Sequence, residues 1–319
     1  IQNIHGEKRV LRIGGIILII SLMIQYFFLM DTNNLYNLIL ISSLPIVVVG
    51  AFEDTIGFIK PTIRLFIILL SSAIFFYFME ESFPFIDLPL IGEIIHIHPL
   101  CTFIFFTLSL SAYTNGVNMI DGTNGLAAVS IVSSLASVAF ISFMVGDFEI
   151  MYLSMFFSIF LLPFLIFNYP WGKIFLGDTG AYFFGWVTGI IVILFFGRNN
   201  DVPTLGAALI LFYPSFELIF SFTRKILSSK SPFQPDASHL HMKVFYVFKA
   251  ATNRQKRSNG LVMPFLSSLW LIPPMIIPWV FTDSKLILAC ILILIIIYLS
   301  FYYALPNQSS IYSNDNDIK

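Results

Sequence analysis

Long apolar runs alternate with short polar interruptions along this chain, and the runs set its architecture. Ten stretches are almost continuously apolar: 13–30, 35–51, 62–79, 100–114, 125–145, 149–167, 181–197, 204–223, 260–281 and 284–304. About 20 apolar residues in a helix cross the hydrocarbon of a bilayer. Barrel strands would instead alternate apolar and polar positions over about ten residues. The pattern predicts an all-α integral membrane protein, a polytopic helical bundle of about ten transmembrane helices. Residues 1–304 read as one polytopic domain, and 305–319 (LPNQSSIYSNDNDIK) as a polar tail.

Composition agrees with that reading. Of 319 residues 57% are apolar and 11% charged, whereas a soluble domain carries about 25% charged residues to face water. A formal net charge of −1 gives no reason to expect nucleic acid. Cys101 and Cys290 both fall inside apolar runs, which suggests buried filler, not a disulfide or a thiolate metal site.

Charge is informative by position. With residue 1 inside, ten crossings place 1–12, 52–61, 115–124, 168–180, 224–259 and 305–319 on the inner side. Fifteen of the 17 Lys and Arg residues lie in or beside these segments, leaving Arg198 and Lys285 outside. Inner loops are the ones enriched in Lys and Arg, so this asymmetry orients the bundle with those loops in the cytoplasm.

The same inner loops collect the polar chemistry. Glu53 and Asp54 are adjacent carboxylates at a helix end. Asn115, Asn118, Asp121 and Asn124 recur every three residues, so a helical stretch would align them, while Gly116, Gly122 and Gly125 argue for a broken or tightly turning backbone. Gly177-Asp178-Thr179-Gly180 precedes an apolar run, where Asp178 or Thr179 suits an N-cap, and Asp178 a hard-cation ligand. His239 and His241 follow a proline-bracketed turn, and in extended backbone their side chains share a face. His96 and His98 repeat that spacing on the outer side and read as surface residues. Carboxylates and amides without thiols favour Mg²⁺, with Mn²⁺ as the alternative, over zinc. Glu217 lies within an apolar run, where a lone carboxylate costs about 2.5–3.5 kcal/mol; Arg224, seven residues on, is its nearest candidate partner and implies a structural role.

Taken together and in this order, the four segments resemble the polyprenyl-phosphate N-acetylhexosamine-1-phosphate transferase family. Its motifs are a paired acidic motif, N-x-x-N-x-x-D-G-x-D/N-G-L, F-x-G-D-[ST]-G and P-F-x-P-D-x-x-H-L-H, and the likeness spans roughly residues 5–245. The His-Leu-His form looks more like the branch using UDP-N-acetylhexosamines than the peptidoglycan branch, which carries three consecutive histidines. His5 and Arg12-Ile-Gly14-Gly15 resemble the family's N-terminal motif, which normally follows a first helix. The expectation is an eleven-helix plan with its first helix missing here.

The resemblance implies transfer of a sugar-1-phosphate from a UDP-N-acetylhexosamine to polyprenyl phosphate, such as undecaprenyl phosphate, with release of UMP and with Mg²⁺. It implies a multi-pass protein of the bacterial inner membrane, in contact with membrane lipid and with room for a homodimer. Asp54, Asp121, Asp178, His239 and His241 are then the candidate catalytic residues, with Asp178 and Asp121 as metal ligands. Asn118, Asn124, Glu53, Asn168, Lys173 and Arg224 are candidate substrate contacts. Glu53 stands where the family usually has Asp, and Asn124 where many members have a second Asp. A transporter or flippase of lipid-linked anions, and a catalytically degenerate family member, are the alternatives.

Overall fold

The computed structural model describes residues 12–29, 34–57, 59–88, 90–229, 231, 238–252 and 255–306, which leaves His5 outside the described residues. Among the described residues fifteen helices follow one another: α1 Gly14–Leu29, α2 Asn34–Thr55, α3 Pro61–Phe78, α4 Ile91–His96, α5 Pro99–Ile120, α6 Leu126–Val145, α7 Phe148–Asn168, α8 Gly177–Arg198, α9 Leu205–Ile210, α10 Phe212–Leu227, α11 Leu240–Thr252, α12 Gln255–Phe265, α13 Ser267–Trp270, α14 Ile272–Val280 and α15 Ser284–Ala304. The all-helical, multi-pass expectation holds. All ten apolar runs are helical, but fewer than ten are uninterrupted spans. Helices α2, α3, α5, α6, α7, α8 and α15 are long and apolar enough to cross a membrane, and the 257–280 segment, bent by 45°, makes an eighth if it counts as one span. α1 is apolar over Gly14–Ile24, the part described with its side chains, and the 204–223 run divides at Leu211 into α9 and α10.

Proline accounts for the division at Leu211 and for the break at Leu271 between α13 and α14. A proline lacks the N–H that would bond the carbonyl four residues back, and its ring crowds that carbonyl. Pro214 frees the carbonyl of Ile210, and Pro274 frees that of Trp270. In a bilayer each needs another donor, and α6 supplies both: Ser134 Oγ donates to Ile210 O at 3.0 Å and Ser133 Oγ to Trp270 O at 3.0 Å. Two neighbouring serines thus hold two broken helices against α6.

The axis of the bundle is α8, in which every residue except Ile193 and Arg198 is buried. Its glycines make room for neighbours. Gly185 packs against Val117 and Gly189 against Leu110, both on α5, while Gly180 meets Gly15 of α1 backbone to backbone. Small residues at helix contacts are the usual means of close packing in lipid, where apolar burial alone gives little drive.

The two ends of α8 differ in character. At its C-terminal end Arg198 bonds Glu81, donates to Glu149 at 2.8 Å and lies 3.6 Å from Asp147, tying the ends of α3, α7 and α8 together. His98 lies at the surface as expected, where its ring Nδ1 caps α5 by accepting from Leu100 N at 3.1 Å, while His96 is half-buried and stacks on Phe85 with centroids 4.9 Å apart. The cysteines, expected as buried filler, are not buried: Cys101 is exposed and Cys290 half-buried.

A Cβ at Gly15 would lie 2.2 Å from Gly180 N and 2.5 Å from its Cα, both backbone atoms that cannot swing aside. Gly15→Ala is therefore expected to destabilise the bundle by about 1–3 kcal/mol, the usual cost of overpacking. Thermal unfolding in detergent should show a clear drop in midpoint, and an unchanged midpoint would contradict the α1–α8 contact.

Candidate functional site

The N-terminal end of α8 is where the sequence motifs meet. A helix start buried inside a bundle leaves backbone N–H groups without partners. Neither Asp178 nor Thr179 caps α8 as expected; the acceptor comes from another helix. Asp54, near the end of α2, accepts from Asp178 N at 2.9 Å, from Thr179 N at 2.9 Å and from Thr179 Oγ1 at 2.7 Å, and its side chain has no exposed surface. Gly177 is required on two counts: its φ is +75°, and a Cβ there would sit 2.6 Å from an Asp54 oxygen. The N–H groups of Gly14 and Gly15, at the start of α1, bond Phe175 O and Leu176 O at 3.0 and 2.9 Å, fixing the approach to the α8 turn.

With α8 held this way, Asp178 projects into a ring of donors. Arg12 donates to Oδ1 at 3.2 Å, Asn118 to the same oxygen at 3.2 Å, and Arg64 bonds Oδ2. Arg12 is also 3.9 Å from Asp54. Glu53 accepts from Ile59 N at 2.9 Å and lies 3.9 Å from Arg64. Asp121 follows α5 directly as its C-cap. Burial pushes its carboxyl well above the usual carboxylate range; Arg12 pulls the other way, the charges of Asp178 and Asp54 raise it further, and the Gly177 N–H opposes them. Glu53, Asp54, Asn118, Asp121 and Asp178 thus converge. Arg12 and Arg64 belong with them and were missing from the sequence-based set; Arg12 stood in the N-terminal motif, and Arg64 carried no signal beyond its place after an inner loop.

The histidines form an adjoining cluster. His239 and His241 present parallel rings, with centroids 5.6 Å apart and planes 3° from parallel, so the shared face is observed. A Cβ on Gly122 would come within 3.0 Å of His241 Nε2, which seats the pair against the turn that carries Asp121. Glu217 is the partner of His239: His239 Nδ1 lies 3.1 Å from Glu217 Oε1, Leu240 N donates to that oxygen at 3.3 Å, and Tyr298 Oη donates to Oε2 at 2.8 Å. This corrects the expected Glu217–Arg224 pairing. Arg224 instead bonds Ser221 Oγ at 3.4 Å and lies over the Tyr302 ring at 5.8 Å. Lys243 reaches the same ring at 4.1 Å and donates to Tyr302 O at 2.6 Å; burial, with Arg224 nearby, holds its ammonium below the usual lysine range.

Three candidates take other positions. Asn168 and Asn124 brace the loops: Asn168 accepts from Gly125 N at 2.5 Å and donates to Ile174 O at 2.7 Å, while Asn124 donates its side-chain amide to Pro170 O and its backbone N–H to Asn259 Oδ1, both at 2.8 Å. The expected row of four is therefore divided, with Asn115 and Asn118 on α5, Asp121 capping it and Asn124 in the following turn. Lys173 is exposed and lies over Trp171 at 5.7 Å. For a cation, no group of three or more His, Cys, Asp or Glu among the described residues is arranged to hold one. The hard-oxygen pair Asp178 and Asp121, beside the amide of Asn118, fits an ion that takes one or two carboxylates and completes its shell with phosphate oxygens, as Mg²⁺ does.

The glycosyl transferase family 4 profile matches residues 36–196, a span that holds Glu53, Asp54, Asn118, Asp121 and Asp178. The undecaprenyl-phosphate alpha-N-acetylglucosaminyl 1-phosphate transferase of Thermotoga maritima is 28% identical over 237 residues, 74% of this chain and 68% of that protein. The probable undecaprenyl-phosphate N-acetylglucosaminyl 1-phosphate transferase of Bacillus subtilis is 25% identical over 248 residues, 75% of this chain and 66% of that protein. The phospho-N-acetylmuramoyl-pentapeptide-transferase of Streptococcus pneumoniae is 26% identical over 244 residues, 72% of this chain and 73% of that protein. The matches thus span about two thirds of the first two relatives' length.

Asp54→Asn leaves one side-chain acceptor oxygen for three donors. It is expected to cost about 1–2 kcal/mol, as losing a helix cap does, and to lower the unfolding midpoint in detergent, whereas Lys173→Ala leaves the midpoint unchanged. Equal midpoints for Asp54→Asn and the parent protein would contradict the capping role.

Proposed function

The chain belongs to glycosyl transferase family 4, and we propose that it transfers an N-acetylhexosamine-1-phosphate from a UDP-sugar to polyprenyl phosphate, releasing UMP, at the cytoplasmic face of a bacterial inner membrane. The observation that carries this reading is the gathering of Asp178, Asp121, Asn118, Arg12 and Arg64 at the start of α8, at the end of the bundle to which the basic loops belong. The names of the T. maritima and B. subtilis relatives support the substrate class. A transporter would carry polar groups through the depth of the bundle; among the described residues the arginine–carboxylate pairs sit at the two ends of α8.

In this mechanism the acceptor phosphate, with a second pKa near about 6, is mostly dianionic at neutral pH and needs little base catalysis. One of its oxygens attacks the β-phosphorus of the UDP-sugar. The bond from that phosphorus to the bridging oxygen breaks, and UMP leaves with the oxygen. Arg12 and Arg64 neutralise the phosphates as they approach, a role for which the planar guanidinium is well suited. His239 and His241 bond the diphosphate oxygens. Asp178 and Asp121 would hold Mg²⁺, whose chemistry is to screen the phosphoryl oxygens and stabilise charge on the leaving group. Asp54 acts on this chemistry by fixing α8.

The test is the purified protein with undecaprenyl phosphate, Mg²⁺ and a panel of UDP-N-acetylhexosamines, following UMP. Release is expected with at least one donor and is lost on chelation; no release with any donor would overturn the reading. Asp178→Asn is expected to lower turnover at least about 10²-fold, the typical cost of removing a charge-stabilising group, and near-normal turnover would contradict its role.

A further inference from the structure

Glu217 is 1% exposed and sits in a helix surrounded by apolar side chains. Burying a carboxylate is expensive unless its oxygens are bonded, and packing alone is served as well by a Leu or Met. Both oxygens here face donors from separate parts of the chain: Tyr298 of α15 on Oε2, and His239 with the Leu240 N–H on Oε1. An acceptor that receives Tyr Oη and a backbone N–H receives a proton from the imidazole as well, so Nδ1 of His239 carries hydrogen. The ring nitrogen left for any other partner is Nε2.

The hydroxyl on the far side of the carboxylate is itself held. The Tyr298 ring stands edge-on to Phe216 at 4.8 Å and to Phe220 at 5.2 Å, and lies parallel to Tyr302 at 6.3 Å. Tyr298 is fully buried. Three aromatic rings therefore fix where its Oη points, Oη fixes the carboxylate, and the carboxylate fixes the imidazole. At the other end, His241 stacks on His239 and rests against Gly122, one residue from Asp121.

We infer that Glu217 and Tyr298 are positioning residues, which hold His239 in the tautomer protonated on Nδ1 and so turn Nε2 toward the transferred diphosphate. The inference rests on the proposed reading only for what Nε2 meets; the tautomer and its two supports stand on the geometry alone. Neither Glu217 nor Tyr298 touches substrate. Orienting a functional histidine through its second nitrogen is worth about 10–100-fold where it has been measured around metals, and a smaller share falls to Tyr298, which acts one bond further away.

Two measurements test this separately. The first is the ¹⁵N spectrum of protein labelled only at histidine, with the His239 signals assigned by their loss in His239→Asn. The parent protein is expected to show His239 protonated at Nδ1. Glu217→Gln, whose amide offers one acceptor oxygen for three donors, shifts it toward the Nε2-protonated tautomer. An unchanged spectrum in Glu217→Gln would overturn the proposal, and this arm decides even if no donor sugar supports turnover. The second is turnover. Glu217→Gln is expected to lower kcat about 10–100-fold and Tyr298→Phe, which keeps the ring packing, about 3–10-fold by loss of one hydrogen bond, with KM for both substrates within about twofold. In a His239→Asn background the same substitutions should cost nothing further. A full, additive loss in that background would mark both residues as structural supports of the bundle and sink the proposal. If Glu217→Gln does not fold, Tyr298→Phe carries both arms.

Discussion

A helix that begins inside a lipid-embedded bundle must find acceptors for its first N–H groups, and much of this structure follows from how α8 meets that demand. The acceptor is the Asp54 carboxylate, delivered from α2. To receive it, the backbone has to approach within bonding distance, which requires glycine at 177, and α1 and α2 must pass close to the α8 start, which Gly15 and Gly50 permit. A negative charge at a helix N-terminus is also electrostatically favoured. The consequence for chemistry is direct: Asp178, the second residue of α8, has its backbone clamped by Asp54 and its side chain aimed at Arg12, Arg64 and Asn118. One interaction both anchors the central helix and sets the orientation of the site's principal carboxylate.

Much of this was legible in the sequence, and what was not has a common physical cause. Apolar runs announced the helices because lipid imposes length and composition on each span independently. Their interruptions were harder to see, since the carbonyls that Pro214 and Pro274 free are taken up by Ser134 and Ser133, far off in sequence. The motif residues were readable as a group because the inner loops share one side. Their partners were not. Asp54 looked like half of an acidic pair, yet its donors lie more than a hundred residues away. Glu217 was paired with Arg224 by helical periodicity, a local rule, whereas its true partners, His239 and Tyr298, are 22 and 81 residues on. The resemblance implied Asn124 and Asn168 as substrate contacts; the loop groups that their amides bond, at Pro170, Gly125 and Ile174, carried no signal in the sequence.

The two ends of α8 show how charge can be stored in one bundle for different purposes. At the C-terminal end, Arg198 is enclosed by Glu81, Asp147 and Glu149, one guanidinium among three carboxylates. At the N-terminal end the balance is closer: Arg12 and Arg64 face Asp178, Asp54 and Glu53, with Asp121 beside them and driven toward its neutral form. The first end is a clasp. The second has groups of both signs whose mutual pairing can be traded for pairing with a ligand of both signs.

Such an exchange would give a physical reason for a carboxylate cluster at the site proposed for an anionic substrate. Guanidiniums left alone in a partly buried pocket would pay a desolvation penalty with nothing to offset it. Paired internally with Asp178, they are held in place before any substrate arrives. Under the proposed function, the oxygens of an entering diphosphate would take over the guanidiniums, and the carboxylates released would be the groups that accept a divalent cation. Because Asp178 is fixed through its backbone by Asp54, the exchange requires side chains to change partners and no helix to move. Preorganisation of this kind keeps reorganisation out of the reaction step, and it rests on the same capping carboxylate that lets α8 begin inside the bundle.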